Sequence, residues 1–166
     1  MSIGLIIRNI RTGEMEFFSS ILKEGAGWLS ERGMPMWSAD QVSAQQLLAS
    51  NPIDEMYMGF LNNETAAVMI LQEEDPWVWP DDPVHQSLYL HKLCVRRKYG
   101  GTGVSQGMIR WAESHAKHLG KKFLKLDCAS DRTRLCEFYT RQGFNKVNET
   151  VVLGKYPTSL FELKIT

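Results

Sequence analysis

The stretch that decides the fold is Tyr99-Gly100-Gly101-Thr102-Gly103-Val104-Ser105, where three glycines separate a strand pattern from a helix pattern. A β-like run over residues 88–95 precedes them, and apolar residues at helical spacing follow from Val104 to Leu119. Glycine lets the backbone approach a ligand closely, and the N–H groups of a helix's first turn attract anions. We therefore predict that residues 100–105, which we call the glycine loop, bind a phosphate or pyrophosphate. A plain tight turn stays open as the alternative, because a short glycine-rich loop is a weak motif.

A second strand and a second helix follow this loop. Gly120 predicts the end of the helix that starts at Val104, and Phe123, Leu124, Leu126 and Cys128 form a short strand pattern that is typical of a strand covered on both faces. The helical pattern of Leu135 and residues 138–139 then closes at Gln142-Gly143-Phe144. Because a helix connects the strands 88–95 and 123–128, we expect the two strands to run parallel.

This order of elements, together with Leu93-Cys94-Val95 and with Phe138-Tyr139 ahead of Gly143-Phe144, resembles the GCN5-related N-acetyltransferases. The resemblance implies an α/β fold of the acyl-CoA N-acyltransferase kind. It has a mixed, mostly antiparallel sheet of six to seven strands with helices on both faces. It also implies that the strands 88–95 and 123–128 splay apart around the cofactor.

The resemblance further implies that acetyl-CoA is the co-substrate and that no metal takes part. Amides of the glycine loop would hold its pyrophosphate, and backbone groups of residues 93–95 would pair with its pantetheine arm. The implied cofactor-binding residues are Leu93, Cys94, Val95, Gly100, Gly101, Thr102, Gly103, Val104, Ser105, Asp131 and Phe138. Gly100 stands where the family has Arg or Gln, and Ser105 where it has Gly or Ala. A cradle made of backbone amides is compatible with both changes, although the help of the Arg or Gln side chain is lost.

The chemistry implied is direct transfer of an acetyl group to a primary amine, which needs a proton acceptor for the amine and a proton donor for the departing thiolate. By resemblance Tyr139 is the donor, and a role in packing alone is its alternative. His91 is the candidate base, because it shares the strand parity of Leu93 and because histidine changes charge near neutrality. Carboxylates of residues 73–75, acting through water, are the competing base.

Candidate acceptor-binding residues come from two segments. Trp28 and Trp37 lie on either side of the end of the helix predicted from Met15 onward. There they either pack between helices or line an acceptor pocket. Residues 73–83, which we call the acidic-aromatic segment, combine Glu73 and Trp77 with three prolines that exclude regular structure. Acidic groups among tryptophans suit a cationic amine, whereas the alternative is a solvated loop pinned to the core by its tryptophans.

Composition bounds the class of protein. The 166 residues suit a single domain over 1–166, and 19 basic against 19 acidic residues give no net charge. We therefore expect no binding to nucleic acid or to a membrane surface. The resemblance implies a small-molecule or peptide amine as the acceptor, and we expect a monomer or homodimer. Cys94, Cys128 and Cys136 lie in apolar patterns and suit buried free thiols, as in a reducing cytoplasm. Neither a secretory signal nor a membrane-spanning run is expected.

The remaining segments predict the outer elements. These are a first strand over 5–11, a helix from Met15 to Leu29, a second helix begun by a capping box at 38–41, a hairpin turning at 62–64, and a closing strand pair split at 155–157. A non-catalytic coenzyme A sensor on the same fold is the alternative function. A nucleotide-binding P-loop is disfavoured because no Lys-Ser/Thr pair follows the glycines.

Overall fold

The computed structural model describes residues 4–166. Within this range the elements are β1 (Ile6–Asn9), α1 (Met15–Glu31), α2 (Ala44–Ser50), β2 (Met56–Leu61), β3 (Glu64–Gln72), β4 (Ser87–Val95), α3 (Val104–His118), β5 (Phe123–Ala129), α4 (Thr133–Arg141), β6 (Asn145–Val152) and β7 (Tyr156–Lys164). Short 3-10 turns lie at 12–14, 53–55 and 97–99. None of these helices is both long and apolar enough to cross a membrane.

The seven strands form one mixed sheet in the order β1-β2-β3-β4-β5-β7-β6. The pairs β1–β2, β2–β3, β5–β7 and β6–β7 are antiparallel. The β4–β5 pair is parallel, with a register from Ser87↔Phe123 to Tyr89↔Lys125. The predicted α/β class, the mostly antiparallel sheet and the parallel pair joined through α3 are confirmed.

The chain forms two compact units. One comprises the described residues up to Ile70 together with Lys92–Met108, and the other comprises Leu71–His91 and Ile109–Thr166. The expectation of a single domain over 1–166 stays a prediction.

In the first unit, α1 and α2 bury their apolar stripes against one face of β2 and β3. The core they share contains Phe18, Ile21, Leu22, Leu47, Met56, Met58, Val68 and Ile70. Gly59 points to the opposite face of β2, where an added Cβ would lie 2.8 Å from Sδ of Met108 in α3. Alternate residues of β2 therefore meet helices on opposite faces, as predicted.

In the second unit, the alternation of β7 separates two apolar contacts. Phe161 lies beside the Tyr139 ring of α4, with 6.3 Å between ring centroids. The neighbouring Leu160 packs instead with Trp79 and Tyr89. One face of β7 is thus covered by α4 and the other by the acidic-aromatic segment.

Two sequence predictions need correction. The capping box at Ser38 forms, since Ser38 N–H donates to Gln41 Oε1 and Gln41 N–H donates to Ser38 Oγ, but it closes a turn. The helix α2 begins only at Ala44, where Ser43 Oγ accepts from Gln46 N–H.

The closing pair turns earlier than predicted. Leu153 and Gly154 both have positive φ, 54° and 69°, and make the turn between β6 and β7. Tyr156 and Pro157 already belong to β7, paired with Val152 and Val151. The sequence pattern pointed to Pro157 because proline is common in turns, whereas a left-handed leucine is uncommon.

Candidate active site

The glycine loop links the 3-10 turn at 97–99 to the first turn of α3. Gly101 and Gly103 adopt left-handed backbone angles, with φ of 75° and 88°. No described atom outside the adjoining residues lies within 4 Å of a Cβ built at either position, so the backbone there is bare and open. Val104 is buried and begins α3, whose first-turn N–H groups have no intrahelical partners. This arrangement fits an anion held by backbone amides.

The entry to the loop is held by α1. Arg97 N–H donates to Glu24 Oε2 over 2.9 Å. The Trp28 ring lies between two guanidinium groups, with Arg97 Cζ at 3.7 Å and Arg32 Cζ at 3.9 Å from its centroid. Trp28, predicted to contact the acceptor, thus packs against Arg97, the first residue of the 3-10 turn that precedes the glycine loop.

The other cofactor candidates have these places. Residues 93–95 form the end of β4 and are half-buried; Cys94 Sγ donates to Ile21 O, and burial raises the Cys94 pKa to about 11. Asp131 is exposed in the turn between β5 and α4. Phe138 is half-buried in α4, with its ring edge-on to Tyr139 at 5.4 Å.

His91 lies between two carboxylates of the second unit. Its Nε2 is 3.0 Å from Asp75 Oδ2, and its Nδ1 is 3.9 Å from Asp127 Oδ1. The Nε2–Oδ2 contact is within ion-pair distance, but neither atom makes an aligned hydrogen bond. At 3.0 Å the two groups are close enough for an ion pair when the imidazole is protonated. The Asp75 side chain is only 6% exposed, so it faces His91 from the interior.

The orientation of His91 does not follow from strand parity, contrary to the sequence argument. Lys92, the next residue, has a φ of 51° inside β4. A left-handed residue interrupts the alternation of a strand. The parity of Leu93 therefore says nothing about the direction of His91, and the contacts with Asp75 and Asp127 define it instead.

Asp75 is fixed by the turn that follows it. Its Oδ1 accepts from Val78 N–H, and its backbone carbonyl accepts from Trp79 N–H over 2.9 Å. Oδ2 is thereby left facing His91.

A buried cation anchors the rest of the segment. Lys125, on β5, donates to Asp82 Oδ2 over 2.8 Å, and its Nζ lies 4.6 Å from the Trp79 ring centroid. Tyr89 donates to the same Asp82 oxygen. The acidic-aromatic segment thus has no regular secondary structure, as predicted, but has fixed contacts with β4 and β5.

Tyr139 lies in α4 and is 9% exposed. Burial, and then the nearby Cys128 thiol and Asp127, raise its pKa well above the ordinary value for tyrosine. The phenol therefore keeps its proton at neutral pH, as a proton donor must.

The remaining acceptor candidates are dispersed. Trp37 is half-buried against the core of the first unit. Glu73 pairs with Lys121 Nζ at 2.7 Å, and this hydrogen bond lowers the pKa of the Glu73 carboxyl. Trp77 is 82% exposed, while Trp79, two residues later, is buried.

Asp75, His91 and Asp127 also form the one trio of metal-ligand types that the described part of the chain brings together, with donor atoms within 4.8 Å of one another. An imidazole and two carboxylates are ligands that Zn²⁺ accepts. These residues could hold a metal as well as move a proton.

Sequence reasoning named His91 and considered Asp75, but it missed Asp127. The available signal was the one carboxylate within residues 123–128. A charged residue in a covered strand needs a partner, and His91 is one partner of Asp127 here.

Comparison with known proteins identifies the family of this chain. A model of the Acetyltransferase (GNAT) family matches residues 22–144. A Bacillus subtilis protein, described as the uncharacterized N-acetyltransferase YesJ, is 31% identical over 137 residues, covering 79% of this chain and 76% of its own length.

Solved structures show the same fold. A GNAT-family acetyltransferase from Listeria monocytogenes superposes with a TM-score of 0.76 at 20% identity, covering 99% of this chain and 98% of its own. One from Desulfovibrio desulfuricans gives 0.75 at 11% identity, covering 98% and 100%. The family match, the curated relative and the shared fold together lead to one conclusion: this chain belongs to the GNAT family of acetyltransferases.

Proposed function

We propose that the protein is an N-acetyltransferase that moves the acetyl group of acetyl-CoA directly to a primary amine. The observation that carries the proposal is the contact of His91 with the buried Asp75. An amine attacks a thioester only when it is neutral, and an imidazole held by a carboxylate is a suitable acceptor for its proton.

Phosphate binding is assigned to the first unit. The bare backbone at Gly101 and Gly103 and the first turn of α3 support binding of the pyrophosphate of coenzyme A. Residues 93–95 are assigned to the pantetheine arm, and Asp131 and Phe138 to further cofactor contacts, by family resemblance. Gly100 lacks the side chain of the family's Arg or Gln, but it keeps the backbone amide that the proposed phosphate contact needs.

Proton transfer is assigned to the second unit. Acetyl-CoA supplies the activated acetyl group as a thioester. His91 accepts the proton of the amine, and Asp75 holds the imidazole in place from the protein interior. Tyr139, which is protonated at neutral pH, donates a proton to the departing sulfur.

The acceptor is proposed to be a small-molecule or peptide amine. Trp77 is exposed and lies two residues from Asp75, which suits contact with an incoming cationic group. Glu73 forms an ion pair with Lys121 and thereby holds the acidic-aromatic segment in place. It can contact an acceptor only if the acceptor displaces Lys121. Trp28 and Trp37 keep their proposed acceptor role in the first unit.

The test is a screen of primary amines for release of the coenzyme A thiol from acetyl-CoA. With the best acceptor, His91→Gln should lower kcat about a hundredfold and leave KM for acetyl-CoA nearly unchanged, because the proposed cofactor contacts lie elsewhere. Asp75→Asn should have a smaller effect in the same direction.

The pair of variants separates the candidate bases. If Asp75→Asn abolishes turnover while His91→Gln retains it, the carboxylate is the base. If coenzyme A binds and no amine is acetylated, the protein is a sensor, and the enzyme assignment fails.

A further inference from the structure

Two of the three cysteines face each other between β5 and α4. Cys136 Sγ lies 3.5 Å from Cys128 Sγ and donates its hydrogen to it. The two residues belong to the same compact unit, whereas Cys94 belongs to the other. All three thiols are free.

The two thiols differ in access. Cys128 is buried, with 4% of its surface exposed. Cys136 is half-buried and lines a surface pocket of about 390 Å³ together with Thr133, Thr140 and Arg141. A small reagent that enters this pocket can therefore reach Cys136, whereas Cys128 is buried and does not line the pocket.

We propose that Cys128 and Cys136 form a reversible oxidation site, which closes to an intramolecular disulfide by exchange with a small organic disulfide admitted through this pocket. The inference does not rest on the acetyl-transfer proposal.

The exchange takes place in two steps. Cys136 loses its proton to solvent, and its sulfur attacks one sulfur of the small disulfide; the first thiolate leaves and takes up a proton. Cys128 then loses its proton and attacks Cys136 Sγ in the mixed disulfide, and the second thiolate leaves and is protonated. The protein loses two hydrogen atoms, and the small disulfide is reduced to two thiols.

The geometry permits the bond and sets the order of attack. A disulfide has its sulfurs about 2.05 Å apart, so the two Sγ atoms must approach by roughly 1.5 Å, which side-chain rotation and a small shift of α4 can supply. Burial, followed by the hydrogen bond from Cys136, raises the pKa of the Cys128 thiol. Because Cys136 lines the pocket and Cys128 is buried, Cys136 attacks first, and the raised pKa of Cys128 is consistent with its reacting second.

The bond would tie α4 to β5 three residues before Tyr139. Oxidation would therefore act on the helix that carries the proposed proton donor, without altering any residue assigned to the reaction.

The experiment exposes the reduced, folded protein to 2-hydroxyethyl disulfide and follows intact mass and free-thiol content. Wild type should lose two hydrogens and two of its three thiols, and dithiothreitol should restore both. Peptide mapping should join the peptides that contain Cys128 and Cys136.

Three variants assign the sulfurs. Cys94→Ser, the matched control, should still form the bond. Cys128→Ser should stop at a mixed disulfide on Cys136, and Cys136→Ser should not react. The inference would be overturned by a wild-type protein that keeps all three thiols, that stops at the mixed disulfide, or that forms a disulfide through Cys94. Because this result is measured on the folded wild type, it does not depend on the stability of any variant.

Discussion

Tyr139 illustrates how a side chain can be both a packing residue and a candidate reactant. Its ring touches Phe138, Phe144 and Phe161, so most of its surface is buried among aromatic groups. Its hydroxyl is the single part that distinguishes it from phenylalanine, and the Tyr→Phe change therefore separates the two roles.

We predict that Tyr139→Phe retains the fold and lowers kcat by about a hundredfold, because only the proton donor is removed. The measurement is steady-state turnover with the best amine of the screen, alongside the melting temperature. Phe144→Leu is the matched control, since it perturbs another ring beside Tyr139 and leaves the hydroxyl. Equal turnover of Tyr139→Phe and wild type would assign Tyr139 to packing alone.

Residue types in the candidate site were predictable from the sequence, but their contacts were not. His91 was identified because it shares the strand parity of Leu93 and because histidine titrates near neutrality, yet the left-handed Lys92 that follows it breaks that parity. Its partner Asp75 comes from a segment without regular structure, whose path is set by the buried Lys125–Asp82 pair. No local pattern encodes a contact between residues so far apart in the chain.

At the level of elements, α1 packs closely against the end of β4 at Gly25. A Cβ added at Gly25 would lie 2.5 Å from Cys94 Sγ, whereas one added at Gly27 would meet nothing within 4 Å. Both glycines lie inside the same helix, where alanine is intrinsically preferred by about 1 kcal/mol.

We predict opposite outcomes for the two glycines. Gly27→Ala should stabilise the protein by about 0.5–1 kcal/mol through helix propensity. Gly25→Ala should destabilise it by roughly 1–3 kcal/mol, because the new methyl group overlaps Cys94 Sγ. Chemical denaturation measures both, and Cys94→Ala should relieve the cost at Gly25. Stabilisation by both substitutions would show that α1 and β4 are not in close contact there.

The connection from β1 to α1 carries a pH-dependent ion pair. Arg8 contacts both carboxylate oxygens of Glu14 at 2.8 Å, and Arg11 N–H donates to Oε1. The hydrogen bond from Arg8 is the main cause that lowers the Glu14 pKa from 4.5 to about 2.

A depressed carboxyl pKa adds stability above the unfolded value, and this stability is lost as the pH falls through the folded value. We predict that Glu14→Gln destabilises the protein by about 1 kcal/mol at pH 7, and that the deficit shrinks from about pH 4.5 towards pH 2. Denaturation curves at several pH values test this, with the exposed Glu16→Gln as control. A deficit that does not change with pH would contradict the assigned cause.

Element boundaries followed the sequence where glycine or asparagine marked them. Asn62 and Asn63, with φ of 53° and 64°, make the predicted hairpin turn, and Gly120 and Gly143 follow the ends of α3 and α4 with positive φ. The turn at Leu153 was missed, because leucine carries no signal for a left-handed conformation. The capping box at Ser38 formed its bonds without a helix, because the residues after it continue as turns up to Ser43.

For the whole molecule, the order strand, glycine loop, helix, strand was enough to predict the one parallel pair, because a helical crossover connects parallel strands. The mostly antiparallel sheet around this pair was implied by the family resemblance. Length and composition could not indicate the division into two compact units, which depends on contacts distant in sequence.

Ligand binding gives a prediction at the same scale. Coenzyme A at a hundred times its Kd should stabilise the protein by about 2.7 kcal/mol, which corresponds to a rise in Tm of several degrees. Gly103→Val should remove the shift, since Gly103 has a φ of 88° and a side chain would enter the open face of the loop. Gly27→Ala is the matched control and should keep it. A wild-type Tm unmoved by millimolar coenzyme A would refute cofactor binding.

The anchoring of the acidic-aromatic segment bears on how an acceptor enters. Loops that cover active sites often open and close during turnover, and their motion then limits the rate. Here Glu73 is tied to Lys121, Asp82 to Lys125, and Trp79 is packed with Leu160. Under the proposed function this segment is a fixed side of the acceptor's entrance, so no opening of the segment precedes acceptor binding. Turnover should therefore show no viscosity dependence that arises from movement of this segment.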